Sequence, residues 1–173
     1  MRLIWAVLCR HAIVEQETNT LSLMDVIEQI TIEFNESPIP PPTKPAALPI
    51  PLELISLWQK GPDRGGGTFK VTLRTPQGST SPGHATGTIE PGPAPRSRIT
   101  TRIPNLPWRG EGEYAFVVQL STKSAGWRTV ADVPFWIKLK NPMALSQQQT
   151  SPPAPDRKTR RKSAKRVARK RRR

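Results

Sequence analysis

A chain of 173 residues with 35% apolar side chains and 20 prolines is long enough for one domain with a real core plus appended sequence, and too short for two ordinary domains. Its single cysteine excludes an internal disulfide, and its net charge of +14 is unevenly spread. Between Arg157 and Arg173 lie 12 Lys and Arg with no Asp or Glu, whereas the preceding 156 residues carry 15 basic and 13 acidic side chains. The body is therefore nearly neutral, and a basic block with so few large apolar side chains cannot bury enough surface to offset its ordering entropy. Three parts are expected: a folded body over 1–140, a Pro/Gln/Ser-rich linker over 141–156, and a disordered Lys/Arg-rich tail over 157–173.

In chain order, Leu3 to Cys9 is apolar on both faces, as a covered central strand is. The run is too short to span a bilayer, is stopped by Arg10 and His11, and lacks a small-residue cleavage site. A cytoplasmic protein without integral membrane association is expected, with Cys9 as a buried thiol. Glu17 to Asn19 closes a first hairpin. Ile30, Ile32 and Phe34 alternate cleanly, while Met24, Val26 and Ile27 break register, which asks for a bulge or bend between two pieces, or a short helical turn. Pro38 to Pro51 reads as extended, polyproline-like chain crossing an edge.

Leu52 to Trp58 reads as a strand that changes phase between Leu54 and Ile55, and Gly65, Gly66 and Gly67 as a hairpin tip. Phe69, Val71 and Leu73 alternate with Lys70, Thr72 and Arg74, giving a half-buried strand. Pro76, Gln77 and Gly78 form a tight turn, and Gly78 to Pro95 a long loop. Ile99 to Ile103 is a partly exposed strand. Tyr114, Phe116, Val118 and Leu120, then Val133, Phe135, Ile137 and Leu139, mark two further strands, with Trp136 on the polar phase of the second. Seven short strands with regular turn clusters predict an all-β fold, an antiparallel immunoglobulin-like sandwich, with Tyr114 placed like the tyrosine of such a corner.

The stretches "LIWAVLCRHAIVEQETNTLSLMDVIEQI", "GTFKVTLRTPQG" and "GEGEYAFVVQLSTKSAGWRTVADVPFWIKL" together resemble an uncharacterised family of small bacterial β-sandwich proteins, a domain of unknown function. The resemblance covers about residues 3–140 and leaves the tail outside it. It implies a β-sandwich and brings no catalytic residues with it.

Chemistry-bearing motifs are sparse. His11, His84 and Cys9 lack metal-ligand spacing, so neither metal nor cofactor is expected. The glycine-flanked serine elbow is missing, and Gly65 to Gly67 is not followed by the Lys-Ser or Lys-Thr of a phosphate loop. Glu111 and Glu113, two apart, would project to one face of a strand as paired carboxylates or as solvated edge charges. A non-enzymatic protein is the expectation. Trp108-Arg109 in "NLPWRG" and Trp127-Arg128 in "SAGWRT" are candidate contacts for a protein partner, the alternative being that each indole caps the core.

The tail carries the strongest signal. Arg157, Lys158, Arg160, Arg161, Lys162, Lys165, Arg166, Arg169, Lys170, Arg171, Arg172 and Arg173 would pair with phosphates and release counterions, binding nucleic acid or another polyanion without reading sequence. The competing readings are a solubility element or a targeting segment with the body acting as a protein-interaction module. Oligomeric state is not legible from these features.

Overall fold

A computed structural model of the chain describes residues 1–33, 46–61, 66–81, 84–123 and 125–140, and the strands it holds follow the period-2 alternations closely. They are β1 (Arg2–Val14), β2 (Leu21–Val26), β3 (Gln29–Glu33), β4 (Ala46–Leu48), β5 (Leu52–Gln59), β6 (Gly67–Arg74), β7 (Ala85–Ile89), β8 (Arg96–Ile103), β9 (Leu106–Trp108), β10 (Gly112–Thr122) and β11 (Ala125–Lys140). No helix occurs among the described residues, so the body is all-β.

Two main sheets result, one ordered β2-β1-β5-β8 and the other β3-β11-β10-β6-β7, with β4 and β9 forming a separate pair. The alternating residues meet in one core. Leu8, Leu54, Trp58 and Ile103 from the first sheet pack with Phe69, Leu73, Phe116, Val118, Phe135 and Ile137 from the second. Stacking of Phe135 between Tyr114 and Phe116, with ring centroids at 5.6 and 5.5 Å, fixes the centre of β10 and β11. Trp58 satisfies its buried indole by donating to Ser56 Oγ at 2.9 Å, on the same strand.

Several expectations need correcting. Eleven strands stand among the described residues where seven were expected. The long loop of 78–95 contains β7, which pairs with β6 through Phe69↔Gly87. The glycine there is required, since a Cβ on Gly87 would come within 2.5 Å of the Phe69 ring. Its Thr and Gly content hid a strand because one face is filled by Phe69 and not by its own side chains. Residues 38–45 of the expected polyproline-like segment lie outside the described residues, but Ala46–Leu48 pairs antiparallel with β9. Gly66 and Gly67 are not a hairpin tip, because β5 and β6 belong to different sheets and the chain crosses between them there. Phe34, Pro62, Asp63 and Gly65 also fall outside the described residues. The turn at Pro76 to Gly78 is present, closed by the Gly78 N–H donating to Thr75 O at 2.9 Å.

The break expected after Met24 is a change of sheet. Asp25 takes a positive φ of 53° within β2, a local kink and not a bulge, because the register with β1 passes through it unshifted from His11↔Met24 to Cys9↔Val26. Two residues on, the Ile27 amide bonds to Leu8 O of β1, while Glu28 O accepts from the Trp136 amide of β11, both at 2.9 Å. Consecutive residues thus touch both sheets. The chain then continues as β3, parallel to β11 through Ile30↔Ile137, so the second sheet is mixed and not wholly antiparallel.

The phase change in β5 also has a cause. Leu54 faces the core, so Ile55 faces outward, yet Ile55 and Cys9, which faces the same way on β1 opposite Glu53, are 0% exposed and outside the main core cluster. The β1–β2 hairpin accounts for this. At its root, the Ala12 amide donates to Glu53 Oε2 at 2.8 Å. At its tip, Asn19 accepts from Arg98 of β8 through its backbone oxygen at 3.2 Å and its side chain at 3.3 Å. The hairpin therefore runs from β1 to the far edge of its own sheet and covers that sheet's outer face as an arm.

Candidate functional site

The twelve basic tail residues from Arg157 to Arg173 lie outside the described residues. The two Trp-Arg pairs in the body do not come together, and they differ in kind. Trp108 sits on β9 opposite Ala46 and is only 7% exposed, so it caps the core and is withdrawn as a surface contact. Leu106 and Trp108 are both buried while Pro107 between them is not, a short alternation that the proline disguised as a loop. Arg109 is exposed, and its backbone serves Tyr114: the Arg109 amide donates to the phenol oxygen at 2.9 Å, and the phenol donates to Gly110 O at 2.7 Å. Trp127 is instead 51% exposed. It stands on β11 and not in a loop, and Arg128 beside it donates from Nη2 to Met1 O at 3.2 Å.

Titratable groups are dispersed. Glu111 and Glu113 are both exposed at the start of β10. His11 stands 3.9 Å from Glu53 on the surface, while His84 packs edge-on against Phe116 and reaches Ser81 Oγ at 3.3 Å. Burial holds the His84 imidazole below the ordinary histidine value. Burial first, and the Glu53 carboxylate second, push the Cys9 thiol up, opposite to the thiolate that nucleophilic chemistry requires. Among the described residues no group of three His, Cys, Asp or Glu side chains is arranged to hold a metal ion, and no helix is long and apolar enough to cross a membrane.

A cleft of about 600 Å³ lies at one end of the body. It gathers the start of β1 (Met1), the crossing into β6 (Gly67), the end of β7 with the chain beyond it (Thr88, Pro91) and the β10–β11 turn (Ser121, Lys123). A second depression shares Thr88 and Pro91 and adds Lys60, and a third joins Met1 to Arg2 and Lys60. These three adjoining hollows carry hydroxyls and cations, a lining suited to holding an anionic ligand. The described lining of the 600 Å³ cleft holds no carboxylate or imidazole to move a proton. Sequence reasoning did not find this cleft, because its residues come from four separate segments of ordinary turn composition. The signal within reach was the closeness in sequence of Lys123 to Trp127 and Arg128.

No protein-family model matches the chain, and no curated protein matches it.

Proposed function

We propose that this chain is a non-enzymatic binding protein in which an immunoglobulin-like sandwich carries a basic tail that holds nucleic acid or another polyanion without sequence preference. The observation behind this reading is the charge partition: twelve cations and no carboxylate within residues 157–173, attached to a body whose charges nearly cancel. The same reading takes the protein as cytoplasmic and the body as a member of the uncharacterised β-sandwich family that its sequence resembles.

The strand order supports the immunoglobulin-like assignment. β1, β5 and β8 take the places of strands A, B and E, and β6, β10 and β11 those of C, F and G, with β7 beyond β6 as C′. Tyr114 lies near the start of the F-like strand and bonds back to the backbone of Arg109 and Gly110, the tyrosine-corner arrangement. The β1–β2 arm is then an excursion between the first strand and β3.

A salt titration tests the functional reading. Full-length protein should bind duplex DNA and structured RNA with an affinity that falls by roughly three to five decades between 50 and 200 mM salt, if about 6 to 10 phosphates are neutralised. A chain ending at Asp156 should lose most of that dependence, and equal slopes for the two would refute the tail's role. A second reading, a protein-interaction module, rests on the arm, where Ile13, Met24 and Val26 are each about half exposed. Partner recovery that survives removal of the tail and fails on Met24→Ser would favour it.

A further inference from the structure

Charge and aromatic exposure coincide at one end of the body. Arg2, Lys60 and Lys123 line the three adjoining hollows, and Arg128 bonds to the backbone of Met1, which lines two of them. Glu90 is the one carboxylate among the described lining residues. Arg98 also lines the second hollow and is held by Asn19 of the arm, as Arg2 is by Gln59.

The register sets Arg128 and an exposed indole next to each other on one hairpin, on its two faces. Leu120 faces the core and pairs with Arg128, so Arg128 points toward the gap between the sheets and reaches Met1 across it. Trp127, one residue earlier, points the other way and remains 51% exposed on the same hairpin that supplies Ser121 and Lys123. An exposed indole on a hairpin that also carries Ser121, Lys123 and Arg128 offers a stacking face to a strand whose phosphates meet the cations as it passes round the hairpin end, the combination by which single strands are bound without base reading. Duplex ends and base-free polyanions would use the cations alone.

We propose that this end of the body is a binding site for single-stranded nucleic acid, with Trp127 stacking on a base and Lys60, Lys123 and Arg128 contacting the phosphates on either side. The site rests on the polyanion reading given above and adds a second point of attachment to the tail. It also sets a preference: unpaired strands over duplex, because only an unpaired base can present its face to Trp127.

The test uses full-length protein throughout, with short oligothymidylate and inorganic polyphosphate as probes. Trp127→Ala should weaken oligothymidylate binding about tenfold, the size of one lost base stack. It should leave polyphosphate binding unchanged, and Trp127→Phe should restore most of the loss. Lys123→Gln with Arg128→Gln should lower the slope of log affinity against log salt by about 1.4, the value for two single-strand phosphate contacts. Thermal melting of each variant shows that it remains folded, and Lys60→Gln, which removes none of the hydrogen bonds of the sheets, should lower the slope by about 0.7 on its own. Unchanged affinity and slope in all these variants would overturn the site while leaving the tail reading intact. Failure of the wild-type chain to bind either probe would overturn both.

Discussion

β10 and the β1–β2 arm are both rich in apolar side chains, yet they end in opposite environments. Tyr114, Phe116, Val118 and Leu120 of β10 are at most 1% exposed, whereas Ile13, Met24 and Val26 of the arm are 47, 51 and 55% exposed. β10 has strands on both sides and a facing sheet over its apolar side. The arm has one layer beneath it and nothing described above it, and polar bonds anchor its root and tip: Glu53 to the Ala12 amide, Arg98 to Asn19. Burial is thus a property of the partner surface as much as of the side chain. An apolar strand that packs by one face onto an already finished sheet leaves its other face to solvent.

The comparison is tested most severely at Phe116. Phe116→Ala removes a ring that stacks on Phe135 and is 0% exposed, and should cost about 3 to 5 kcal/mol of unfolding free energy. Ile13→Ser in the arm should change stability by less than about 0.5 kcal/mol. Urea titration of both variants measures the contrast, and equal losses would break it.

Tyr114→Phe comes next in size. Its ring packing is kept, but the Arg109 amide loses its acceptor and Gly110 O its donor, a loss of about 1 to 3 kcal/mol. Glu53→Gln acts on the arm and not on the core. It removes the charge that faces the Ala12 amide, Arg102 at 3.6 Å and His11 at 3.9 Å. Cys9, the only thiol and fully buried beside it, should then react with a maleimide about fivefold faster, matching a clasp weakened by about 1 kcal/mol, while the global melt moves far less. A rate unchanged from wild type would show that the arm is no looser than the core.

The smallest effect is one of pH. Burial depresses the His84 pKa below its ordinary value of 6.5, so on acidification the unfolded chain takes up a proton before the folded one does. Stability from this site is complete above about pH 6.5 and is lost as pH falls through the folded-state value. His84→Gln should flatten that part of the stability profile, as followed by thermal melts at a series of pH values.

Much of this architecture can be read from alternation. β6, β8, β10 and the second half of β11 announce themselves by period-2 apolar residues whose partners supply the opposite wall. The tight turn at Pro76 to Gly78 and the break near Asp25 follow from local backbone chemistry. What escaped is whatever depends on a distant partner. β7 lacks large side chains because Phe69 fills the space above Gly87. β4 and β9 are three-residue strands that exist only as a pair. The parallel docking of β3 on β11 joins residues more than a hundred positions apart. The candidate cleft belongs to the same class, assembled from segments with no shared pattern, whereas the tail needs no partner to be recognised, because its message is composition.

The place of β11 has a mechanical consequence. It is the last described strand, so any load applied from the C-terminal side enters the body at Lys140. There β11 is flanked by β10 on one side and by β3 on the other, and the Lys140 ammonium meets Glu33 at 3.0 Å at the very end of the parallel pair. Pulling along the strand strains both ladders in shear, many hydrogen bonds at once, and does not unzip them one by one from an edge. A load entering at Lys140 would meet two ladders together and not one.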